Sequence, residues 1–315
     1  MLVVNKMTRA AILIGSLESF QKEEFADPMK ESFAKIGLDS IIVPLNKIEE
    51  LNKVDIVYTL PHSIQVDLSF LDEKNIPIIN SHRSHSLSKN KMESSDVFIK
   101  NNIPTPDTIT TDSQDELINF INKHNKIILK QPDICAGYGH MIVEKINNNY
   151  FAWNNDSKGE FDFSNPNFVK ANKRVFAQPY YAQDFISDFN PDNIVSVYRA
   201  YVIGNNVPMA TARVGKDQPI VNVARGAHYE FVTPDKKMKE IALKTADSIG
   251  FEVGVVDLLK DKNQNYFVIE CDCDGLTLVV CRKFRKLKEF EDKYDFDQHI
   301  GRRLIEIVNG ESYRT

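Results

Sequence analysis

Short apolar runs alternate with a helical segment and turns through the first 80 residues, and this alternation constrains the fold more than any other feature. Residues 10–14 form a strand-like run, and residues 26–36 have helical spacing that stops at Gly37. Three further strand-like runs lie at residues 41–43, 54–58 and 76–79. Such a pattern predicts a small parallel sheet covered by helices. Ligands of these sheets collect at the carboxyl ends of the strands.

Composition indicates a chain with a large core and excludes several partner classes. With 315 residues and 42% hydrophobic content, two or three small domains are expected. The net charge of −5 and the lack of a basic block argue against a nucleic-acid partner. No run approaches the roughly 20 apolar residues that span a bilayer, and no signal peptide is evident. We therefore expect a cytoplasmic protein without a membrane partner.

The four cysteines form no CxxC pair, which argues against a structural zinc site and favours reduced, buried thiols.

Two prolines divide the predicted parallel sheet from the rest of the chain. A polar helix is predicted over residues 86–101, and Pro104 and Pro106 then impose an extended segment. Asp112 is a candidate N-cap for the next helix, and residues 147–173 have the composition of exposed loops. Beyond residue 174 the pattern is strand-rich, with a hairpin turn at residues 204–206 and helices over 236–249 and 297–308.

Three carboxylates stand on two neighbouring strand-like runs near the C-terminus. Glu270 and Asp272 are two residues apart and therefore share a strand face. If the intervening loop closes a hairpin, Asp257 falls almost opposite Glu270. Carboxylates this close repel one another when buried, and a hard cation such as Mg²⁺ relieves that cost. The alternative is that all three are solvated on an exposed face.

Lysine and arginine side chains near predicted strands provide candidate phosphate contacts. Lys130 ends a strand and precedes a loop containing Gly137 and Gly139, so that backbone N–H groups and an ammonium could face phosphates. The loop is not a Walker A motif, and an ordinary turn is the alternative. Further isolated cations, each also explicable as a surface charge, are Lys91, Arg199, Arg213 and Arg225.

The order of these features resembles the ATP-grasp superfamily, and within it the glutathione synthetase and α-L-glutamate ligase group. The resemblance extends from about residue 10 to residue 277. Its motifs are Asn80-Ser-His, Asn90-Lys91, Asn102-Ile-Pro-Thr-Pro, Ile127-Ile-Leu-Lys-Gln-Pro, Gly137-Tyr-Gly, Phe176-Ala-Gln-Pro-Tyr-Tyr, Val197-Tyr-Arg, Met209-Ala-Thr-Ala-Arg, the loop 222–226, Gly254-Val-Val-Asp and Val268-Ile-Glu-Cys-Asp.

This resemblance implies an α/β (α+β) chain with the ATP-grasp fold. An N-terminal parallel α/β pre-ATP-grasp domain would occupy residues 1–85, a small central lid subdomain 86–181, and a C-terminal antiparallel-sheet domain 182–315. The implied activity is an ATP-dependent carboxylate–amine ligase that forms an amide through an acyl phosphate and releases ADP and phosphate. A small carboxylate and an amine, such as an amino acid or peptide, are the implied substrates; a thiol is the less common nucleophile. A homodimer is also expected.

The resemblance also implies roles for individual residues. Asp257, Glu270 and Asp272 would bind Mg²⁺ or Mn²⁺, Lys91 and Lys130 would hold the ATP phosphates, and Arg213 would stabilise the acyl phosphate, with Arg199 beside it. Gly137 and Gly139 would belong to the phosphate-covering loop. The adenine pocket would contain Gln178, Pro179, Tyr180 and Tyr181, with Asp184 at the ribose. Candidate substrate contacts are Ser16, His62, His82, Asn222 and Arg225.

Three positions depart from the family pattern. Asp272 stands where the family usually has asparagine, Pro179 where it has glutamate, and Tyr198 where an acidic residue often precedes Arg199. An extra carboxylate at the metal strand changes the charge, so one or two metal ions are both compatible with the pattern. The departures motivate two alternatives: a regulatory ATP-binding protein without ligase activity, and another ATP-dependent phosphotransferase or adenylating enzyme.

Overall fold

The structure of the chain is a computed structural model. It describes residues 8–15, 22–60, 68–131, 139–147, 149–153, 158–160, 176–186, 194–216, 220–221, 227–273 and 295–314.

Four parallel strands form the N-terminal sheet, which confirms the architecture predicted from the alternation. The sheet order is β2-β1-β3-β4, and the buried, apolar β1 lies inside it. A single π-helical turn, Lys22–Ala26, runs directly into the first α-helix. The elements are β1 (Arg9–Ile14), α1 (Asp27–Lys35), β2 (Asp39–Pro44), the 3-10 segment Leu45–Lys53, β3 (Ile56–Thr59), the 3-10 segment Ser69–Lys74 and β4 (Ile78–Ile79).

Two helices, α2 (His82–Lys89) and α3 (Lys91–Lys100), come after the first sheet. The prediction of one helix over residues 86–101 was wrong, because Asn90 ends the first helix and caps the second. Its side-chain oxygen accepts hydrogen bonds from the backbone N–H groups of Met92 and Glu93 at 3.1 and 3.3 Å. An asparagine in this capping role satisfies N–H groups that the first turn leaves unpaired. The cap places Lys91 at the first position of α3.

A six-stranded antiparallel sheet of order β5-β10-β6-β7-β8-β9 makes up the central part. Ser113, and not the predicted Asp112, caps its helix by accepting from the Glu116 N–H at 3.3 Å. Residues predicted as loops beyond 147 include two of the strands. The elements are β5 (Thr108–Thr111), α4 (Gln114–His124), β6 (Lys126–Lys130), β7 (His140–Ile146), β8 (Asn149–Trp153), β9 (Lys158–Glu160) and β10 (Tyr180–Asp184).

The C-terminal sheet has five antiparallel strands in the order β13-β12-β11-β14-β15. Its predicted hairpin at residues 204–206 and its helix over 236–249 are confirmed. That helix ends at Gly250, whose φ of 90° is the left-handed conformation that glycine adopts without strain. The elements are β11 (Ile194–Ile203), β12 (Asn206–Lys216), β13 (His228–Val232), α5 (Lys236–Ile249), β14 (Val253–Lys260), β15 (Tyr266–Asp272) and α6 (Phe296–Val308).

The helix α6 joins the first and last sheets through a shared core. Ile300 and Leu304 of α6 pack in one apolar cluster with Ile12 and Tyr58 of the N-terminal sheet and Tyr201 of the C-terminal sheet. The central sheet has a separate cluster with α4, and the opposite face of the C-terminal sheet packs on α3 and α5. Cross-domain packing therefore fixes the outer sheets to each other, while the central sheet has its own core.

Three sheets thus succeed one another along the chain, in the order that the sequence predicted. The domain boundaries after residues 85 and 181 stay predictions. In the part of the chain that the structure describes, no helix combines the length and apolarity that crossing a bilayer requires.

Candidate active site

A row of charged side chains crosses the C-terminal sheet. Arg199 on β11 pairs in register with Asp257 on β14, and Asp257 pairs with Glu270 on β15. Cross-strand partners lie on the same face of a sheet, with Cβ atoms roughly 5 Å apart. The hairpin register that the sequence predicted, with Asp257 opposite Glu270, is confirmed. Neighbouring strands therefore present cations and carboxylates side by side.

Asp257 is buried at the centre of this row and is neutralised by two arginines. Its Oδ1 accepts from Arg199 Nε at 2.8 Å, and its Oδ2 accepts from Arg199 Nη2 at 2.9 Å and from Arg213 Nη2 at 2.6 Å. Burial alone raises the pKa of this carboxyl, but the two guanidinium groups outweigh it and lower the pKa to about 2. Asp257 is therefore ionised throughout the physiological range.

The two arginines hold Asp257 in different ways. Arg199 contacts both carboxylate oxygens with the fork geometry that suits a guanidinium, whereas Arg213 uses only Nη2. Among the described residues, the buried Nε of Arg213 has no hydrogen-bond partner. A buried donor without a partner is costly, so Arg213 is the cation of this pair with capacity for a ligand.

Lys91 brings a third cation to the row from outside the sheet. Its buried Nζ lies 3.2 Å from Oε1 of Glu270. The position results from the Asn90 cap, which begins α3 at Lys91, and from the packing of α3 on β15. The lysine predicted to hold phosphate is thus ion-paired with a carboxylate predicted to bind metal.

Asp272, the third predicted metal ligand, pairs in register with Val255 and lies two residues beyond Glu270 along β15. Within the described ranges, no group of three or more carboxylate, histidine or cysteine side chains is arranged to hold a metal ion. The structure therefore brings together Asp257 and Glu270, but it does not gather all three carboxylates as closely as the sequence analysis expected.

Lys130 stands at the end of β6, buried in the central sheet. Its Nζ donates to Gln183 Oε1 at 2.5 Å, and Gln183 Nε2 donates to Thr108 Oγ1 at 3.2 Å. The threonine hydroxyl donates in turn to the Pro106 carbonyl at 2.7 Å. Burial lowers the pKa of Lys130 to about 8, against the opposing field of Glu270. Its hydrogen-bond partner, the Gln183 amide, is neutral, so this contact does not neutralise the ammonium, which can still bind an anion.

The residues predicted for the adenine pocket lie along the start of β10 and before it. Gln178 and Pro179 are exposed, and Gln178 Nε2 donates to the Asp112 carbonyl at 2.6 Å. Tyr180 and Tyr181 are buried, and the Tyr181 hydroxyl is hydrogen-bonded to Ser95 of α3 at 2.7 Å.

Asp184, predicted at the ribose, lies at the end of β10 with its carboxylate 3.5 Å from His124 Nδ1.

Gln183 is a site residue that the sequence analysis missed. It lies five residues beyond Gln178, and it is almost fully buried against Lys130. The sequence does contain a signal, because Gln183-Asp-Phe185 repeats the glutamine–x–aromatic spacing of Gln178-Pro-Tyr180. Only the sheet order, which places β10 beside β6, distinguishes the two glutamines.

The remaining predicted contacts lie at loop ends or beyond the described ranges. The Gly139 carbonyl accepts from the Gln131 N–H at 2.8 Å, which closes the hairpin that begins after Lys130. His82 is exposed at the first position of α2. The predicted residues outside the described part of the chain are Ser16, His62, Gly137, Asn222 and Arg225.

Comparison of the sequence with known proteins identifies the family of the chain. A family model described as a RimK-like ATP-grasp domain matches residues 88–282, which is more than half of the chain. The alpha-aminoadipate–LysW ligase LysX of Saccharolobus solfataricus is 27% identical over 211 residues, covering 66% of this chain and 70% of the relative. The tetrahydromethanopterin:alpha-L-glutamate ligase of Methanocaldococcus jannaschii is 26% identical over 188 residues, covering 60% of this chain and 59% of that relative.

Solved structures share the fold over nearly the whole length. The D-alanine–D-alanine ligase of Bacillus anthracis complexed with ATP superposes with a TM-score of 0.64 at 13% identity, covering 96% of this chain and 97% of that one. A RiPP-associated ATP-grasp ligase of Chryseobacterium gregarium in complex with ADP and peptides gives 0.61 at 13% identity, with 98% of both chains covered. The fold is therefore that of ATP-grasp ligases, and the chain belongs to the RimK-like ATP-grasp family.

Proposed function

We infer that this protein is an ATP-dependent carboxylate–amine ligase that forms an amide through an acyl phosphate, with release of ADP and phosphate. The observation that carries the inference is the charged row of the C-terminal sheet, where Arg199, Arg213 and Lys91 meet Asp257 and Glu270. Phosphoryl transfer needs positioning and charge stabilisation more than covalent help from the protein. A buried face with several cations and carboxylates meets that need.

In this proposal three cations contact the phosphates or the acyl phosphate, and Arg199 holds a carboxylate. Lys91 and Lys130 hold the ATP phosphates from the helix and the central sheet. The unpaired Nε of Arg213 would donate to the transferred group and stabilise charge that develops there. Arg199 keeps Asp257 in place through its two-point contact. The predicted covering loop would exclude water from the acyl phosphate.

The carboxylates fit a divalent cation. Asp257 and Glu270 are ionisable oxygen donors on directly paired positions, and Mg²⁺ is commonly bound by one or two carboxylates together with substrate phosphates. Asp257 and Glu270 would hold the ion, and Asp272 is a further proposed ligand. A bound Mg²⁺ or Mn²⁺ would supply charge neutralisation for the phosphates.

For the adenine we propose Tyr180 and Tyr181, together with the predicted Gln178 and Pro179, and for the ribose we propose Asp184. Gln183 is added as a residue that positions Lys130, because it accepts a hydrogen bond from the Lys130 ammonium. The substrates are a small carboxylate and an amine. Because the names of both relatives include an amino acid, alpha-aminoadipate or L-glutamate, we propose an amino acid as one of the two substrates.

The decisive experiment is a nucleotide-product assay. Purified protein is incubated with Mg-ATP and defined pools of amino acids and small carboxylic acids, and ADP is resolved from AMP. We expect ADP and phosphate only with a matching acid and amine. The variant Arg213→Met should lose roughly 10²–10³-fold in turnover, as expected for removing a charge-stabilising donor, while Arg302→Met on the exposed face of α6 should retain it.

Each alternative has its own outcome. AMP as product would contradict the acyl-phosphate chemistry and indicate an adenylating enzyme. Tight ATP binding without turnover on any pool would favour a regulatory ATP-binding protein. The homodimer and the cytoplasmic location stay predictions, and sedimentation analysis tests the former.

A further inference from the structure

Two of the three proposed metal carboxylates, Asp257 and Glu270, are ion-paired with cationic side chains that we assign to the phosphates or to the acyl phosphate. Asp257 accepts three hydrogen bonds from Arg199 and Arg213, and Glu270 lies 3.2 Å from the Lys91 ammonium. The site is thus internally neutralised before any ligand is considered. Asp257 and Glu270 are therefore already engaged with side chains that a polyphosphate would use.

This pairing penalises either ligand when it enters alone. A divalent cation without nucleotide meets two guanidinium groups on the Asp257 carboxylate, and it must displace at least one hydrogen bond in a buried setting where charges are poorly screened. A polyphosphate without a cation must separate arginine and lysine from their carboxylates, and it leaves the buried Asp257 and the partly buried Glu270 without these partners. When both enter, the cation takes the carboxylates and the phosphates take the released cations.

The two arginines differ in how readily they can change partner. Arg199 makes two hydrogen bonds to Asp257, whereas Arg213 makes one and keeps an unpaired Nε in the described structure. Turning Arg213 toward a phosphate breaks one hydrogen bond and satisfies that buried donor. Arg213 is therefore the side chain whose release opens Asp257 to a cation.

We propose that divalent cation and nucleotide enter this site only as a pair, because Arg213 on Asp257 and Lys91 on Glu270 exclude each ligand in the absence of the other. The inference rests on the proposed function, since it takes the same carboxylates as metal ligands. Its test, however, measures binding and requires neither turnover nor the identity of the substrates. A failed ligase assay and a failed binding test are therefore distinguishable.

The first experiment titrates Mn²⁺ alone and follows unbound Mn²⁺ by electron paramagnetic resonance. The wild-type protein should bind Mn²⁺ very weakly, and Arg213→Met should bind it roughly tenfold or more tightly, which corresponds to about 1.4 kcal/mol. The double variant Arg213→Met/Asp257→Asn should lose the gain, which assigns it to Asp257.

A matched control separates ion pairing from general electrostatics. Lys130→Met also removes a positive charge that acts on Asp257 and Glu270, but the Lys130 ammonium bonds to Gln183 and not to a carboxylate. If the loss of positive field were enough, Lys130→Met would gain as much Mn²⁺ affinity as Arg213→Met. That equality would overturn the proposal.

The second experiment titrates ATP in the presence of EDTA. Asp257→Asn removes the carboxylate that competes for Arg213, so this variant should bind cation-free ATP several-fold more tightly than the wild type. With Mg²⁺ present the order should reverse. A residue with only a structural role would weaken ATP binding under both conditions, and that result would contradict the exchange.

A test that does not depend on Arg213→Met or Asp257→Asn uses the wild type and Glu270→Gln. Mn²⁺ binding to the wild-type protein with submillimolar affinity, and its loss in Glu270→Gln, would show that the carboxylates are open to a cation alone and would overturn the proposal. Thermal unfolding of each variant identifies those that remain folded.

Discussion

At the scale of single residues, burial decides how the charges of the site behave. Lys130 and Asp257 are both buried, yet they are shifted in different ways. Asp257 has two cationic partners, which lower its pKa to about 2, whereas Lys130 has a neutral amide, so that desolvation lowers its pKa to about 8. One group is fixed in its charged form and the other titrates close to physiological pH.

Nucleotide affinity should therefore fall as the pH rises through about 8, where Lys130 loses its proton. The protonated Lys130 ammonium binds phosphate and the neutral amine does not, so the nucleotide affinity is highest below this pH. About one unit above it, the contribution of the ammonium should be reduced roughly tenfold. Isothermal titration of Mg-ATP between pH 7.5 and 9.5 measures the effect.

Lys130→Arg is the matched control, because a guanidinium keeps its charge over this range. Its ATP affinity should be lower at neutral pH but should change little up to pH 9.5. A wild-type affinity that does not change with pH would contradict the assignment of Lys130 as a phosphate contact.

At the scale of elements, the site depends on the close packing of the strands that carry the carboxylates. A Cβ atom at Gly254 of β14 would lie 2.9 Å from the Phe251 ring and 3.0 Å from the Asp272 carbonyl oxygen. The backbone of Asp272 can therefore approach β14 only because residue 254 has no side chain.

Gly254→Ala should accordingly destabilise the protein by about 1–3 kcal/mol, as overpacking does, and should also weaken Mg-ATP binding by moving Asp272. Urea unfolding and titration of Mg-ATP measure the two effects. Gly37→Ala is the control, because its φ of 78° makes alanine strained although nothing lies within 4 Å of the added Cβ. A stability loss without a loss of binding is expected there. Unchanged Mg-ATP affinity in Gly254→Ala would contradict the role given to β15.

Local sequence patterns were sufficient to predict several features, whereas features that depend on tertiary contacts were missed. The hairpin register of Asp257 and Glu270 results from residue spacing and a short loop, so the sequence was sufficient. The break at Asn90 was missed because a polar stretch has helical composition on both sides of its cap. Gln183 was missed because β10 pairs with β6 only through a sheet order that no local pattern encodes. The pairing of Asp257 with arginines from two strands was missed for the same reason.

At the scale of the whole molecule, the first and last sheets share one apolar core, whereas the central sheet has a core of its own. Leu304 of α6 is buried in the cluster that includes residues of the first and last sheets, whereas Leu117 of α4 is buried in the cluster of the central sheet. The only tryptophan of the sequence, Trp153, lies in the central sheet. Its fluorescence therefore reports on one core, while circular dichroism reports on all three sheets.

Leu304→Ala should lower the free energy of unfolding of the joined outer sheets by about 2–5 kcal/mol. The dichroism transition in urea should shift, and the Trp153 fluorescence transition should shift less. Leu117→Ala, the same substitution in the other core, should shift the Trp153 fluorescence transition more than the dichroism transition. If Leu304→Ala shifted both transitions equally, the central sheet would not unfold separately.

The position of α6 in the chain also has a consequence for synthesis on the ribosome. The N-terminal sheet emerges first, but the helix that covers part of its inner face lies beyond both of the other sheets. Chains begin to fold from the N-terminus while they are being made, and exposed apolar surface favours aggregation. The nascent first sheet therefore keeps an incompletely covered apolar face until α6 has been translated. Chaperone demand should accordingly be set by the time that the ribosome takes to reach α6.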